Sequence, residues 1–196
     1  MLNPIPETLT KEELREFPLL AFEGEIHVIE TEEECDDAIS ELRKYSVVGF
    51  DTEKKPTFKK GEYNPTAMVQ LSTENDAYLF RMNKMGYPES LFDFMSDDSF
   101  LKLGISIDDD LKDLQKVREY DPAGFTDMND IAKELGSKHI GVKKLAAIFL
   151  EHRISKNQQT SNWENDKLTE PQMKYAATDA WICLEIYNEL KDKGMI

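Results

Sequence analysis

Residues 46–53 read SVVGFDTE: a small and apolar run from Ser46 to Phe50, then three polar residues, Asp51-Thr52-Glu53. A short continuous apolar run containing β-branched valine is the pattern of a strand covered on both faces. Such strands belong to sheets with helices packed against them, so helix and strand should alternate on either side. Upstream, Thr31 and Glu34 have the spacing of a capping box and start a helix, EIHVI at 25–29 predicts a short strand, and Thr10 with Glu13 marks an earlier helix start. Downstream, the lysine-rich stretch KKPTFKKGEYNP predicts a loop or hairpin. Strands AMVQLST (67–73) and AYLF (77–80) follow, separated by the turn formers Glu74-Asn75-Asp76.

The alternation continues. A helix is predicted from Pro88 to Met95, and FLKLGIS at 100–106 is another buried strand, ended by Asp108-Asp109-Asp110. A helix then runs through Leu111, Leu114 and Val117, and a short one covers Asp127 to Leu135. Val142, Leu145, Ala146 and Phe149 keep helical spacing. After the polar loop RISKNQQTSNWENDK, Thr169 caps a final helix, with Pro171 in its first turn and Gln172 at its third position. The fold class is α/β. One domain is expected at 25–196, preceded by an N-terminal arm at 1–24.

Composition narrows the function. The chain has 196 residues, 40% of them hydrophobic, enough for one domain with a proper core. Its formal charge of −15 argues against a protein that coats nucleic acid or anionic membrane through a broad positive surface. It allows a local nucleic-acid site in which bound metal ions reverse the sign. Cys35 and Cys183 are too few for a disulfide framework and suit buried thiols in a reducing compartment. No secretory signal or membrane-length apolar run is visible, so a cytoplasmic location without membrane contact is expected.

Carboxylates fall at the ends of the apolar elements. Asp51 and Glu53, at i and i+2 of a strand, point to one face, where two like charges repel unless they share a cation. Read alone, the pair also fits a solvated strand end. The acids of Asp108-Asp109-Asp110 equally suit a helix N-terminus, which favours negative charge. Tyr175 and Asp179, at i and i+4, share a helix face with Ile182 and Ile186. Oxygen ligands of this kind suit hard cations such as Mg²⁺, while the scarcity of histidine and the lack of CxxC or HExxH patterns argue against zinc.

Taken in order, VVGFDTE, LGISIDDDLKDL and YAATDAW resemble the three exonuclease motifs of the DEDD superfamily. Its members include ribonuclease D and the exonuclease domain of the Werner syndrome helicase. A tyrosine four residues before the last aspartate marks the tyrosine branch; the histidine branch has His one position earlier, where this chain has Lys174. The resemblance implies a ribonuclease H-like fold, a mixed five-stranded sheet with helices on both faces. It makes Asp51, Glu53 and Asp179 metal ligands, and the family's spacing from Gly104 and Leu114 selects Asp110 as the fourth. The implied activity is 3′–5′ exonuclease, acting on a 3′ end of DNA or RNA to release nucleoside 5′-monophosphates. The implied cofactors are two divalent cations, Mg²⁺ or Mn²⁺, with Tyr175 orienting the attacking water.

Substrate contacts are expected after the first motif, where Lys54, Lys55, Lys59 and Lys60 cluster with Phe58 between them in an otherwise acidic chain. Trp163 is a candidate for stacking on a terminal base, or else an anchor of its polar loop; Arg153 and Lys156 are weaker candidates for contact. The competing expectation is a non-catalytic nucleic-acid-binding module that kept the exonuclease fold.

Overall fold

Helices begin where threonine caps dictate. Thr10, Thr31 and Thr169 each accept a bond from the backbone N–H three residues on, and the side chains of Glu13, Glu34 and Gln172 accept in return from the cap N–H. These boxes start α1 (Lys11–Glu16), α2 (Glu32–Leu42) and α8 (Glu170–Asp192). The structure, a computed structural model, describes residues 9–59, 61–138 and 140–196.

Its strands are β1 (Glu25–Ile29), β2 (Val47–Lys54), β3 (Thr66–Ser72), β4 (Asp76–Arg81), β5 (Leu101–Gly104) and β6 (Phe125–Asp127), in the spatial order β1-β4-β3-β2-β5-β6. The β2–β3 and β3–β4 pairs are antiparallel, and the β1–β4, β2–β5 and β5–β6 pairs are parallel. The sheet is mixed, as expected, but has six strands rather than five. The added strand, Phe-Thr-Asp, is too short to carry a readable alternation and exists because β5 offers it a parallel edge. Likewise β2 does not stop at Phe50. Asp51, Thr52 and Glu53 pair with Gln70, Val69 and Met68 of β3, so the ladder satisfies their backbone whatever their side chains.

The intervening helices are α3 (Met82–Met85), α4 (Glu89–Met95), α5 (Asp108–Val117), α6 (Met128–Glu134) and α7 (Val142–Leu150). One sheet face, with Val48, Phe50, Val69, Leu71 and Phe80, packs on Cys35, Ile39 and Leu42 of α2, Leu91 and Phe94 of α4 and Leu114 of α5. On the other, Met68 and Leu79 pack on Tyr175 and Ala176 of α8, and Leu103 on Ile182 and Ile186. Helix α8 lies very close to β2. A Cβ built on Gly49 would meet the Ala180 carbonyl oxygen at 2.0 Å, so only glycine admits this approach.

Two further ties shape the site. Within the N-terminal segment, Phe22 is buried and its N–H donates to Thr178 Oγ1 of α8 at 3.0 Å, while Leu20 N–H donates to the Arg153 carbonyl at 2.8 Å. The buried Arg81 donates to the Asn165 carbonyl at 2.5 Å and to Glu30 at 3.1 Å, which pins the α7–α8 loop to the sheet. Among the described residues no helix is long and apolar enough to cross a membrane.

Candidate active site

Strand alternation turns Asp51 and Glu53 toward α8 and sends Thr52 to the opposite face. Asp179 comes to meet them from α8, itself buried. One carboxylate oxygen from each of Asp51, Glu53 and Asp179 lies within 4.8 Å of the others. The close passage of α8 over Gly49, two residues before Asp51, is what brings strand and helix carboxylates together.

The acidic triplet separates in space. Asp108 and Asp109 face solvent, and Asp109, 91% exposed, pairs with Lys112 at 3.5 Å. Asp110 is half-buried and accepts from Thr52 Oγ1 at 2.5 Å; it does not join the group of Asp51, Glu53 and Asp179 that lies within 4.8 Å, though its charge acts on Asp51. Thr52 thus links the strand carrying the first two acids to the helix carrying the fourth, a role nothing in its local sequence advertises.

Tyr175 lies one helical turn before Asp179, its ring buried against Trp163 with centroids 5.9 Å apart. Its hydroxyl accepts from Lys156 Nζ at 3.3 Å, and the same ammonium donates to Asp179 Oδ2 at 2.5 Å. Lys156, a lysine in a polar loop, had no stronger sequence signal than its neighbours.

The electrostatics follow from crowding. Burial, then the charges of Asp179 and Asp110, push the Asp51 carboxyl well above the ordinary carboxylate range. Burial and the Asp51 charge push Glu53 up to about 9. Burial raises Asp110 against the opposing Thr52 bond, and raises Asp179 against the opposing Lys156 charge. Tyr175 is raised too, by burial and then by the Asp179 and Glu53 charges, so its hydroxyl stays protonated. This is a site short of positive charge. Among the described residues Asp179 Oδ1 is buried without a hydrogen-bond partner, and the donors are all hard oxygens, so the residues fit divalent cations.

A pH prediction follows. A carboxyl whose pKa is higher folded than unfolded stabilises fully below its unfolded value, and that contribution is lost as pH rises through the folded value. For Glu53 the window runs from 4.5 to about 9. With chelator present, stability should fall by about 1–3 kcal/mol across that window, after allowance for screening. Added Mn²⁺ should remove most of the fall. A flat melting profile with chelator would show that the acids are not electrostatically crowded.

Other candidates are placed less centrally. Lys54 Nζ pairs with Asp113, and Lys55 Nζ with Glu164 at 3.1 Å. Phe58 is 85% exposed and Lys59 is exposed, whereas Lys60 lies outside the described residues. A cleft of about 390 Å³ runs from Glu53 past Lys54 and Lys55 to Tyr63, Asn64 and Gln159. Trp163 is corrected as a stacking residue: it has no exposed surface and packs with Ala67, Met68 and Tyr175, anchoring its loop. Arg153 Nε is engaged with the Phe17 carbonyl at 3.0 Å. A second trio, Glu25, His27 and Asp76, is partly exposed, and His27 Nε2 already bonds Asp76 at 2.9 Å, so nothing there calls for an ion.

Residues 26–194 match the protein family described as 3′–5′ exonuclease. The bifunctional 3′–5′ exonuclease/ATP-dependent helicase WRN of Mus musculus is 32% identical over 187 residues, which are 90% of this chain and 13% of that protein. A 3′–5′ exonuclease of Arabidopsis thaliana is 30% identical over 194 residues, 91% of this chain and 67% of that one. In fold, the chain is similar to the Nibbler EXO domain of Aedes aegypti, with a TM-score of 0.79 over 87% of this chain and 88% of that one at 24% identity. The matched region contains β2, α5 and α8, which carry the candidate acids, and by it the chain belongs to the 3′–5′ exonuclease family.

Proposed function

We propose that the chain is a divalent-metal-dependent exonuclease that shortens DNA or RNA from the 3′ end and releases nucleoside 5′-monophosphates. The observation that carries this reading is the convergence of Asp51, Glu53 and Asp179, with one buried oxygen unpartnered among the described residues, beside a tyrosine hydroxyl. Asp51, Glu53 and Asp179 would hold one cation, and Asp51 with Asp110 a second. Bound there, the two ions supply an acidified water and charge stabilisation for the departing 3′ oxygen.

The chain's own groups do the rest. Tyr175, kept protonated by its surroundings, is a poor base but can hold the attacking water in line through its hydroxyl. Thr52 holds Asp110, so the fourth acid keeps a defined position. The end of β2 and the segment after it, with Lys54, Lys55, Phe58 and Lys59, are proposed to follow the nucleic-acid strand along the cleft beside Glu53. Lys54 and Lys55 would exchange Asp113 and Glu164 for phosphates. The unpaired, buried Cys35 and Cys183 accord with a reducing, cytoplasmic setting.

The test uses single-stranded and duplex DNA and RNA labelled at the 5′ end, with Mg²⁺ or Mn²⁺. A ladder shortening from the 3′ end, abolished by chelator, is expected; binding without shortening would favour a non-catalytic module. The triplet gives a second check. Asp110→Asn should lose at least about 10²-fold in turnover by removing a charge aimed at the cations. Asp109→Asn should cost only a helix-terminus contribution of about 0.3–1 kcal/mol in stability. The reverse ranking in the same assay would put the fourth ligand at the wrong residue.

A further inference from the structure

Lys156 is a cation placed among the acids by tertiary structure alone. Its side chain is 15% exposed, its ammonium bonds Asp179 Oδ2 and Tyr175 Oη, and it lies 5.1 Å from the centre of the Tyr175 ring. The loop that carries it is pinned on both sides, by buried Ile154 before it and buried Trp163 after it. The position is therefore held by the fold, not by a free surface side chain.

Charge arithmetic suggests why it is there. Two divalent ions would cancel the four carboxylates of Asp51, Glu53, Asp110 and Asp179, leaving a site with no net attraction for a phosphate. Lys156 adds one positive charge, the complement of the single negative charge on a phosphodiester, in a chain whose formal charge is −15. Yet a lysine bonded to Asp179 competes with any cation for the same oxygen. Resting on the metal-dependent reading above, we infer that Lys156 changes partners: it neutralises Asp179 before a divalent ion arrives, yields Oδ2 to that ion, and then binds the substrate phosphate beside Tyr175. An ammonium on a flexible stem suits such an exchange, since its three donors can be re-aimed without moving the backbone.

The test is calorimetric and needs no turnover. Wild type, Lys156→Met and Lys156→Arg are titrated with Mn²⁺ at pH 8, then with AMP in saturating Mn²⁺. The Met variant should bind Mn²⁺ about ten-fold more tightly and AMP about ten-fold more weakly, each the equivalent of one charge-assisted hydrogen bond. Lys156→Arg keeps the charge and should retain most of the AMP affinity, which separates lost charge from a disturbed loop. Unchanged or weaker Mn²⁺ binding in the Met variant overturns the competition, and unchanged AMP binding overturns the phosphate contact. If wild type binds Mn²⁺ and AMP but the Met variant behaves identically, only Lys156 is misassigned. If wild type takes up no Mn²⁺, the metal-dependent reading fails and this inference with it.

Discussion

Asp51→Asn should abolish nucleotide release while leaving the fold intact. The backbone of Asp51 stays in the ladder opposite Gln70, and asparagine keeps the side chain's size. What disappears is the charge placed where both cations are proposed to bind, so turnover should fall by at least about 10³-fold. Stability should move the other way. Burial and the charges of Asp179 and Asp110 strain the Asp51 carboxylate, and the neutral amide relieves that repulsion. In chelator the variant should melt about 2–4 °C above wild type, the shift that about 1 kcal/mol produces in a domain of this size. Melting curves with and without Mn²⁺ complete the measurement, since the variant should gain less from the metal. Wild-type turnover at saturating Mg²⁺ or Mn²⁺ would sink the active-site assignment.

Tyr175→Phe should cut turnover by about 10²–10⁴-fold, the range associated with a positioned hydrogen-bonding or proton-transfer group. The ring would keep its packing on Trp163 and Ala176, so the fold and the carboxylates should be undisturbed. Only the hydroxyl goes, and with it the acceptor that Lys156 Nζ reaches at 3.3 Å. The loss should therefore appear in kcat, with KM and the Mn²⁺ titration nearly unchanged. A purely structural tyrosine predicts otherwise: deleting one hydroxyl from a packed ring would barely affect the rate. Normal kcat in the Phe variant would reject the water-orienting role and leave the four carboxylates in place.

Both variants touch residues that stand out in the linear chain, because their signals are local. A capping box is made by residues three apart, and Thr31 with Glu34 or Thr169 with Gln172 define helix starts without help from elsewhere. The apolar run before Asp51, and the four-residue step from Tyr175 to Asp179, likewise follow from strand and helix periods. That is enough to order the elements along an α/β chain and to name the acids. It is not enough to say which acids meet. Whether Asp51 and Glu53 ended a strand in solvent or continued it beneath a helix depended on β3, which supplies their backbone partners from 15 to 19 residues away. Glycine at 49 permits the approach of α8, but the nearness of Ala180 is a property of the packed pair.

What the chain determined by itself is five of the six described strands, every described helix but the short α3, their order, and the residues bearing the chemistry. Those depend on interactions between near neighbours, which recur wherever the same pattern occurs. The motif spacing pointed to Asp110 within its triplet, but only tertiary structure supplies its partner, through a bond from Thr52 across 58 positions. Tertiary structure alone drew a sixth strand from Phe125–Asp127 and set Lys156 on Asp179 across 23 positions, and it decided between the two readings of Trp163 in favour of the anchor. Each of these rests on contacts between segments far apart in sequence. No local period encodes them, because a buried lysine or a half-buried aspartate is paired by whatever the rest of the fold carries past it.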